Sequence, residues 1–321
     1  KNFRFKKLFS PDFYLPGKLN ILALGFKNLI SAIILSIYTM MKRPDIIYSR
    51  DELPIFILSF FRKNIIFEAH KFSPVRKLFY ERFKRKNIKI VTISNGLEDD
   101  FVSFGFSESK LLVAPDGIDL EEFDLPISKE EARKKIDLPL DKKIIMYTGH
   151  LFEWKGAGVL LEAARNIEIS KYRDGEILLV FVGGTDYDVQ NFRQKAKDLN
   201  NVLILGHRPH KDIPTYLKAA DVLVLPNSAK EEISNKYTSP LKLFEYMGSG
   251  RPIVVSDLPS LREVLNKENC LFVKPDDSVS LADGIKSILH NTDHGERISK
   301  KAFGDVQNYT WLKRAGIILE F

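Results

Sequence analysis

The sequence predicts an α/β protein of two consecutive Rossmann-like domains, each a doubly wound parallel sheet with helices on both faces. Three observations predict it. Short, near-continuous apolar runs rich in β-branched residues recur along the chain, as in strands buried on both faces. Amphipathic stretches of helical period separate these runs. A charged, proline-bearing stretch without a long apolar run, residues 120–143, divides the series, and 321 residues suffice for about two domains.

The first apolar stretch, Leu19–Met41, is interrupted by Gly25, Lys27, Asn28, Ser31 and Ser36. Its cleanest run, Leu29–Met41, falls short of the ~30 Å hydrocarbon core of a bilayer, so a buried helix is expected there. Strand-like runs follow at "DIIYSR" (45–50), "NIIFEAH" (64–70), "KIVTIS" (89–94) and "KLLVAPDGID" (110–119), the last ending in a Pro-Asp-Gly turn. The second series is cleaner: "KIIMYTGH" (143–150), "ILLVFVGG" (177–184), "NVLILG" (201–206), "DVLVLPNS" (221–228), "RPIVVSD" (251–257) and "CLFVKPD" (270–276). Helices are expected between them at Gly158–Asn166, Val189–Leu199, Ile213–Ala220, Pro240–Met247 and Ser280–His290.

Composition narrows the function classes. Cys270 is the one thiol, which excludes an internal disulfide and a cysteine-rich metal site and fits a reducing, cytoplasmic setting. The net charge of +7 is unevenly placed: residues 1–90 hold 19 Lys/Arg against 6 Asp/Glu. An anionic partner of the first third is therefore expected, a membrane surface or a phosphorylated substrate. No aromatic-basic interleaving of the RNA-binding kind is present, so nucleic acid is not an expected partner. Residues 73–87, "SPVRKLFYERFKRKN", read as a basic amphipathic helix with Val75, Leu78, Phe79 and Phe83 on one face. Such a helix either packs on the sheet or meets anionic lipid.

Ligands of doubly wound sheets bind in the crevice at the carboxyl ends of the strands, which selects three loops. After "IIMYTG" comes "HLFEWKGAG", with Lys155 before a Gly-rich turn; after "LLVFV" come Gly183 and Gly184; after "VLVLP" comes a polar stretch ending at Thr238. Ser239-Pro240 then reads as an N-cap and first helical residue. Lys242 falls in that first turn against the helix dipole, a cost of ~0.3–1 kcal/mol that a bound phosphate would offset.

The quoted residues carry a resemblance. "YSRDELPIF", "FEAH", "SNGLEDDFVSFGFSESKLLVAPDGIDLEEFD", "YTGHLFEWKGAGVLLEAA", "ADVLVLPNS", "SPLKLFEYMGSGRPIVVSDLPSLREVL" and "YTWLKRA" occur in the order and spacing of a known family. From about residue 40 the chain resembles a family 4 retaining glycosyltransferase of the GT-B fold, two Rossmann-like domains facing a cleft. The resemblance implies an acceptor domain over residues 1–137 and a nucleotide-sugar donor domain over 138–305. A C-terminal helix over 306–321 would cross back to the first domain.

It also implies roles. Glu245 matches the second glutamate of the E-x7-E signature and would hold the donor's ribose; Lys155 matches the lysine on the diphosphate. His70 matches a histidine facing the reacting sugar and acceptor, so the implied catalytic set is His70, Lys155 and Glu245. Gly149, His150, Gly183, Gly184, Tyr237, Thr238, Ser239, Leu241 and Lys242 complete the implied donor site, with Arg208 near the base. Asp116 and Gly117, within the loop Pro115–Asp119, would lie by the interdomain cleft.

Three departures stand out. Tyr237 occupies the place of the signature's first glutamate, and His150 that of the arginine five residues before Lys155. The family's opening strand, Gly-rich loop and helix are not found, which implies an incomplete first domain. The expected function is metal-independent, retaining transfer of a sugar from a nucleotide diphosphate sugar to a glycan or lipid-linked acceptor, in cell-surface polysaccharide or glycolipid synthesis. No metal or other cofactor is expected: the one Asp-x-Asp, Asp186-Tyr187-Asp188, lacks convergent acids nearby. Alternatives on the same fold are a nucleotide-sugar epimerase, which needs an acid–base carboxylate pair, and a non-catalytic binding subunit, which would bind without turnover. A cytoplasmic enzyme, peripheral at the inner face of the membrane, is the expected setting.

Overall fold

The computed structural model describes residues 6–12, 16, 17, 19–169 and 176–321. The chain divides into two compact units, residues 1–93 with 97–113, and residues 94–96 with 114–321. Residues 114–137 and the C-terminal helix Trp311–Glu320 thus group with the second unit.

All ten strand-like runs are strands, each shorter than its apolar stretch. In the first unit β1 (Ile47–Ser49), β2 (Ile65–Ala69), β3 (Lys89–Thr92) and β4 (Leu111–Val113) form a parallel sheet in sequence order. Its core is aromatic: the Phe67 ring lies 5.4 Å from Phe83, and Tyr80 5.3 Å from Phe101. Aromatic rings that meet at tilted and edge-on angles fill the core of a small sheet, and the Tyr80 hydroxyl lies 3.5 Å from Glu52 Oε1.

Two expectations about this unit are corrected. The first apolar stretch is a 24-residue helix, Leu19–Lys42, long and apolar enough to cross a bilayer, and it is exposed rather than buried at Ile21, Leu22, Phe26 and Met41. Its polar residues do not interrupt it: Ser36 bonds within the helix, and Lys27 and Ser31 bond to the segment before it. Ser36 Oγ donates to the Ala32 carbonyl at 2.7 Å, and Lys27 pairs with Asp12 at 2.8 Å. The single apolar face expected over 73–87 is split as well. Pro74–Arg76 form a 3-10 turn and the α-helix begins only at Lys77. The turn carries Val75 off the α-helical face, and within the α-helix Tyr80 and Phe83 are buried while Leu78 is exposed.

The second unit holds β5 (Lys143–Thr148), β6 (Ile177–Val182), β7 (Val202–Gly206), β8 (Val222–Leu225), β9 (Ile253–Ser256) and β10 (Leu271–Val273). All pair in parallel, in the spatial order β10-β9-β8-β5-β6-β7. Read from β7 this is the doubly wound order whose direction reverses between β5 and β8, and a crevice opens at that switch point. Two buried clusters cover its faces, one around Met146, Leu223 and Phe244, the other around Ile145, Phe181 and Ile285. The two sheets give the two Rossmann-like units that the sequence predicts. Asp221, at the start of β8, holds the helix Lys129–Lys135 to the sheet: it pairs with Arg133 at 2.6 Å and Lys129 at 2.7 Å.

Candidate functional site

A cavity of about 410 Å³ opens at the carboxyl ends of β5, β6 and β7, within the second unit. Thr148, Gly149 and His150 line it from β5, Gly183 and Gly184 from β6, His207 and Arg208 from β7. Pro240, Leu241, Lys242 and Glu245 close it from the helix Leu241–Gly248, and Lys155 from the turn after β5.

Its floor is main chain. Gly183 has φ +121°, and a Cβ there would lie 2.3 Å from the Gly149 carbonyl oxygen. Only glycine accepts both that conformation and that approach. Gly149 N–H donates to Val182 O at 2.8 Å and Gly183 N–H to Gly206 O at 2.8 Å, which ties the three strand ends together.

The helix Leu241–Gly248 forms the adjoining wall. Ser239 does not cap it, as the sequence suggested. Pro240 takes the N-cap position with no side-chain cap, and Ser239 Oγ accepts the Asp116 N–H at 2.9 Å instead. The hydroxyl is thus spent on the 114–119 loop, and the helix start keeps uncapped N–H groups beside the cavity. Tyr246 anchors the helix: its hydroxyl accepts Thr148 N–H at 2.8 Å and lies 3.2 Å from Thr148 Oγ1. Burial pushes the Tyr246 hydroxyl well above the ordinary phenol range.

The charged groups are two lysines and a carboxylate. Lys155 Nζ stands 4.8 Å from the Trp154 ring, and burial lowers its pKa. Lys242 is 7% exposed, with Nζ 4.2 Å from the Tyr147 ring centroid. Burial first, then Lys155, hold its ammonium well below the ordinary lysine range, with Glu245 opposing. Glu245 Oε1 lies 3.1 Å from His210 Nε2; burial raises the carboxyl, while His210 and Lys242 pull it back.

His210 and His207 line the cavity as well, and neither is among the site residues expected from the sequence. The 35-residue separation of His210 from Glu245 hides the pair from any local pattern. Arg208 reaches the cavity with Nε donating to the Tyr216 hydroxyl at 3.0 Å. His150 presents its ring stacked on Phe152, at 4.8 Å between centroids.

Other expected site residues lie elsewhere. Tyr237 and Ser239 are half-buried and Thr238 buried in the segment before the helix, and none of them lines the cavity. Asp116 is buried, and Gly117 backs onto Tyr309, whose carbonyl oxygen would lie 2.8 Å from a Cβ there. His70 belongs to the first unit, at the end of β2. Its Nε2 is 2.6 Å from the Oε1 of Glu68, and Arg50 is 2.8 Å from the same oxygen. Asp188 is a helix-start residue: its carboxylate accepts from Thr185 N and Oγ1 in a capping box. Among the described residues no group of three or more His, Cys, Asp or Glu converges as a metal site.

The sequence profile of the glycosyl transferases, group 1, matches residues 128–305. An uncharacterized glycosyltransferase of Methanocaldococcus jannaschii is 28% identical over 232 residues, covering 70% of this chain and 57% of that protein. The UDP-Gal:alpha-D-GlcNAc-diphosphoundecaprenol alpha-1,3-galactosyltransferase of Escherichia coli is 32% identical over 166 residues, or 50% of this chain and 38% of that one. The chain thus spans about half the length of the curated relatives it matches. Among solved structures, HepE of Anabaena in complex with UDP-glucose superposes with a TM-score of 0.73 at 20% identity, covering 89% of this chain and 81% of that one.

Proposed function

Because this chain belongs to the group 1 glycosyl transferases, we propose that it moves a sugar from a nucleotide diphosphate sugar to a glycan or lipid-linked acceptor. The transfer retains anomeric configuration and uses no metal. One observation carries this reading: two lysines and an uncapped helix start border one cavity at the carboxyl ends of a doubly wound sheet. Breaking the anomeric C–O bond sends its electron pair to the diphosphate, and fixed positive groups stabilise that charge as it develops. Lys155 and the N–H groups at Leu241–Lys242 supply them. Glu245, one turn further along, accepts the ribose hydroxyls, and Arg208 borders the base.

The departing phosphate takes the acceptor's proton on the face it leaves, so no enzymic nucleophile is required. His70 serves the acceptor side of the reaction from the first unit, with Glu68 holding its ring. The relatives support the donor and acceptor classes: HepE is in complex with UDP-glucose, and the E. coli enzyme is named for UDP-Gal and a lipid-linked diphosphate. The assignment places the protein in polysaccharide or glycolipid synthesis at the cytoplasmic face of a membrane. Anionic lipid is the surface that the first unit meets, through exposed Val75 and Leu78 flanked by Arg76 and Lys77. Equal sedimentation with neutral and anionic vesicles would exclude that contact.

The donor site is tested by thermal shift with a panel of nucleoside diphosphates and nucleotide sugars. A ligand of the folded state raises apparent stability by RT ln(1 + [L]/Kd). At least one should give a concentration-dependent rise, smaller in Glu245→Ala and Lys155→Ala. No rise with any of them overturns the reading, as does parental behaviour of both variants. Retention is read by NMR as the anomer first released when water replaces the acceptor.

A further inference from the structure

Lys242 is an unfavourably placed charge. Its side chain is more than nine-tenths buried, and its Nζ has no hydrogen-bond partner. A buried donor left unsatisfied costs ~1–3 kcal/mol, and more when charged. It is also the second residue of a helix whose N-terminus carries the positive end of the dipole. Its charged neighbour across the cavity wall is another lysine, Lys155.

The groups around it do not relieve this. Glu245, on the same helix, is engaged by His210. Tyr147, from β5, offers only its ring, because its hydroxyl donates to the His150 carbonyl at 2.5 Å. The Tyr246 hydroxyl is taken by Thr148. Burial, helix dipole and like charge all act against one ammonium, and an anion in the adjoining cavity relieves the last two while supplying the missing acceptor.

We propose that Lys242 is a second ligand of the donor's diphosphate, folded against the Tyr147 ring in the empty cavity and turned onto the phosphates when the donor binds. This rests on the donor reading above and adds to it a moving group. The Lys242 side chain runs beside Gly149 on the cavity floor, where a Cβ would lie 3.8 Å from its Cδ and 3.9 Å from its Nζ, in ordinary contact. Binding is then coupled to a proton. The empty cavity holds the amine with a depressed pKa, and the bound diphosphate favours the ammonium, so a proton is taken from solvent as the complex forms. Affinity is full below the empty-cavity pKa and is lost as pH rises through the pKa of the complex.

The test is calorimetric titration of the full chain with UDP, GDP and ADP at about pH 8.5, where the phosphates are ionised. Each titration is run in two buffers of different ionisation enthalpy. The parent should bind at least one of the three with net proton uptake. Lys242→Met should bind it about 10- to 100-fold more weakly and without uptake. Lys242→Arg, whose guanidinium stays charged, should recover much of the affinity but none of the uptake. No binding of any diphosphate by the parent overturns the donor reading itself. Binding without uptake, or with parental affinity in Lys242→Met, overturns the Lys242 proposal alone.

Discussion

His210 Nε2 and Glu245 Oε1 stand 3.1 Å apart, across the mouth of the cavity that the two residues share. Burial raises the Glu245 carboxyl, and the His210 hydrogen bond and charge oppose it. His210→Ala removes that opposition, so the Glu245 pKa rises further. A carboxylate proposed to accept ribose hydroxyls is then protonated at a higher pH. The acid limb of nucleotide binding, followed by titration between about pH 4 and 7, should move upward in the variant. An unmoved limb would separate Glu245 from the ribose.

Lys155 should separate stability from binding. It is half-buried and stands beside a like charge, so its ammonium adds little to the stability of the fold. Lys155→Met is expected to leave the melting temperature unchanged or slightly raised while nucleoside diphosphate affinity falls about 10- to 100-fold. A matched pair of thermal melts and titrations reads both.

Two glycines should respond in opposite directions to alanine. Gly183→Ala forces a Cβ at 2.3 Å from the Gly149 carbonyl oxygen in a left-handed conformation, at a cost of more than about 1–3 kcal/mol. Gly304, in the helix Thr292–Val306, has nothing within 4 Å of a Cβ. Gly304→Ala should stabilise by about 0.5–1 kcal/mol, or roughly 2–4 °C in melting temperature.

Asp221 should govern acid stability. Burial would raise its carboxyl, but Lys129, the Ile144 N–H and Arg133 hold it below the usual range. A depressed carboxyl contributes stability above its unfolded pKa of about 4, and that stability is lost as pH falls through the lower folded value. Asp221→Ala leaves the Arg133 guanidinium buried with backbone carbonyls alone, a loss of ~3–5 kcal/mol at neutral pH. The variant's stability, measured by denaturant melts, should fall less steeply than the parent's below about pH 4.

The strands were legible because each is a short apolar run, and the central ones are buried on both faces, a signal contained within a few neighbours. The loops that build the cavity were legible for the same reason, since the rule that ligands sit at strand carboxyl ends needs only the strands. Lys242 could be flagged as oddly placed against the helix dipole, but its burial depends on β5 and could not be read locally. Ser239 illustrates the limit further: Ser-Pro before an apolar run is a sound cap signal, yet a backbone N–H 123 residues away claims the hydroxyl. The exposure of Leu19–Lys42 lies beyond local reading altogether, because apolar spacing records which residues a partner would cover and not whether one is present.

The bonds from Thr148 to Tyr246 have a kinetic consequence. They weld the Leu241–Gly248 helix to the end of β5 through atoms that solvent does not reach. That wall, and the backbone that carries Lys242 and Glu245, cannot swing without opening the sheet. The opposite border, His207 to Ile213, reaches it through the solvent-exposed His210. Loading of the cavity is therefore expected to move that turn first, which hydrogen exchange at residues 207–213 with and without a nucleoside diphosphate would read.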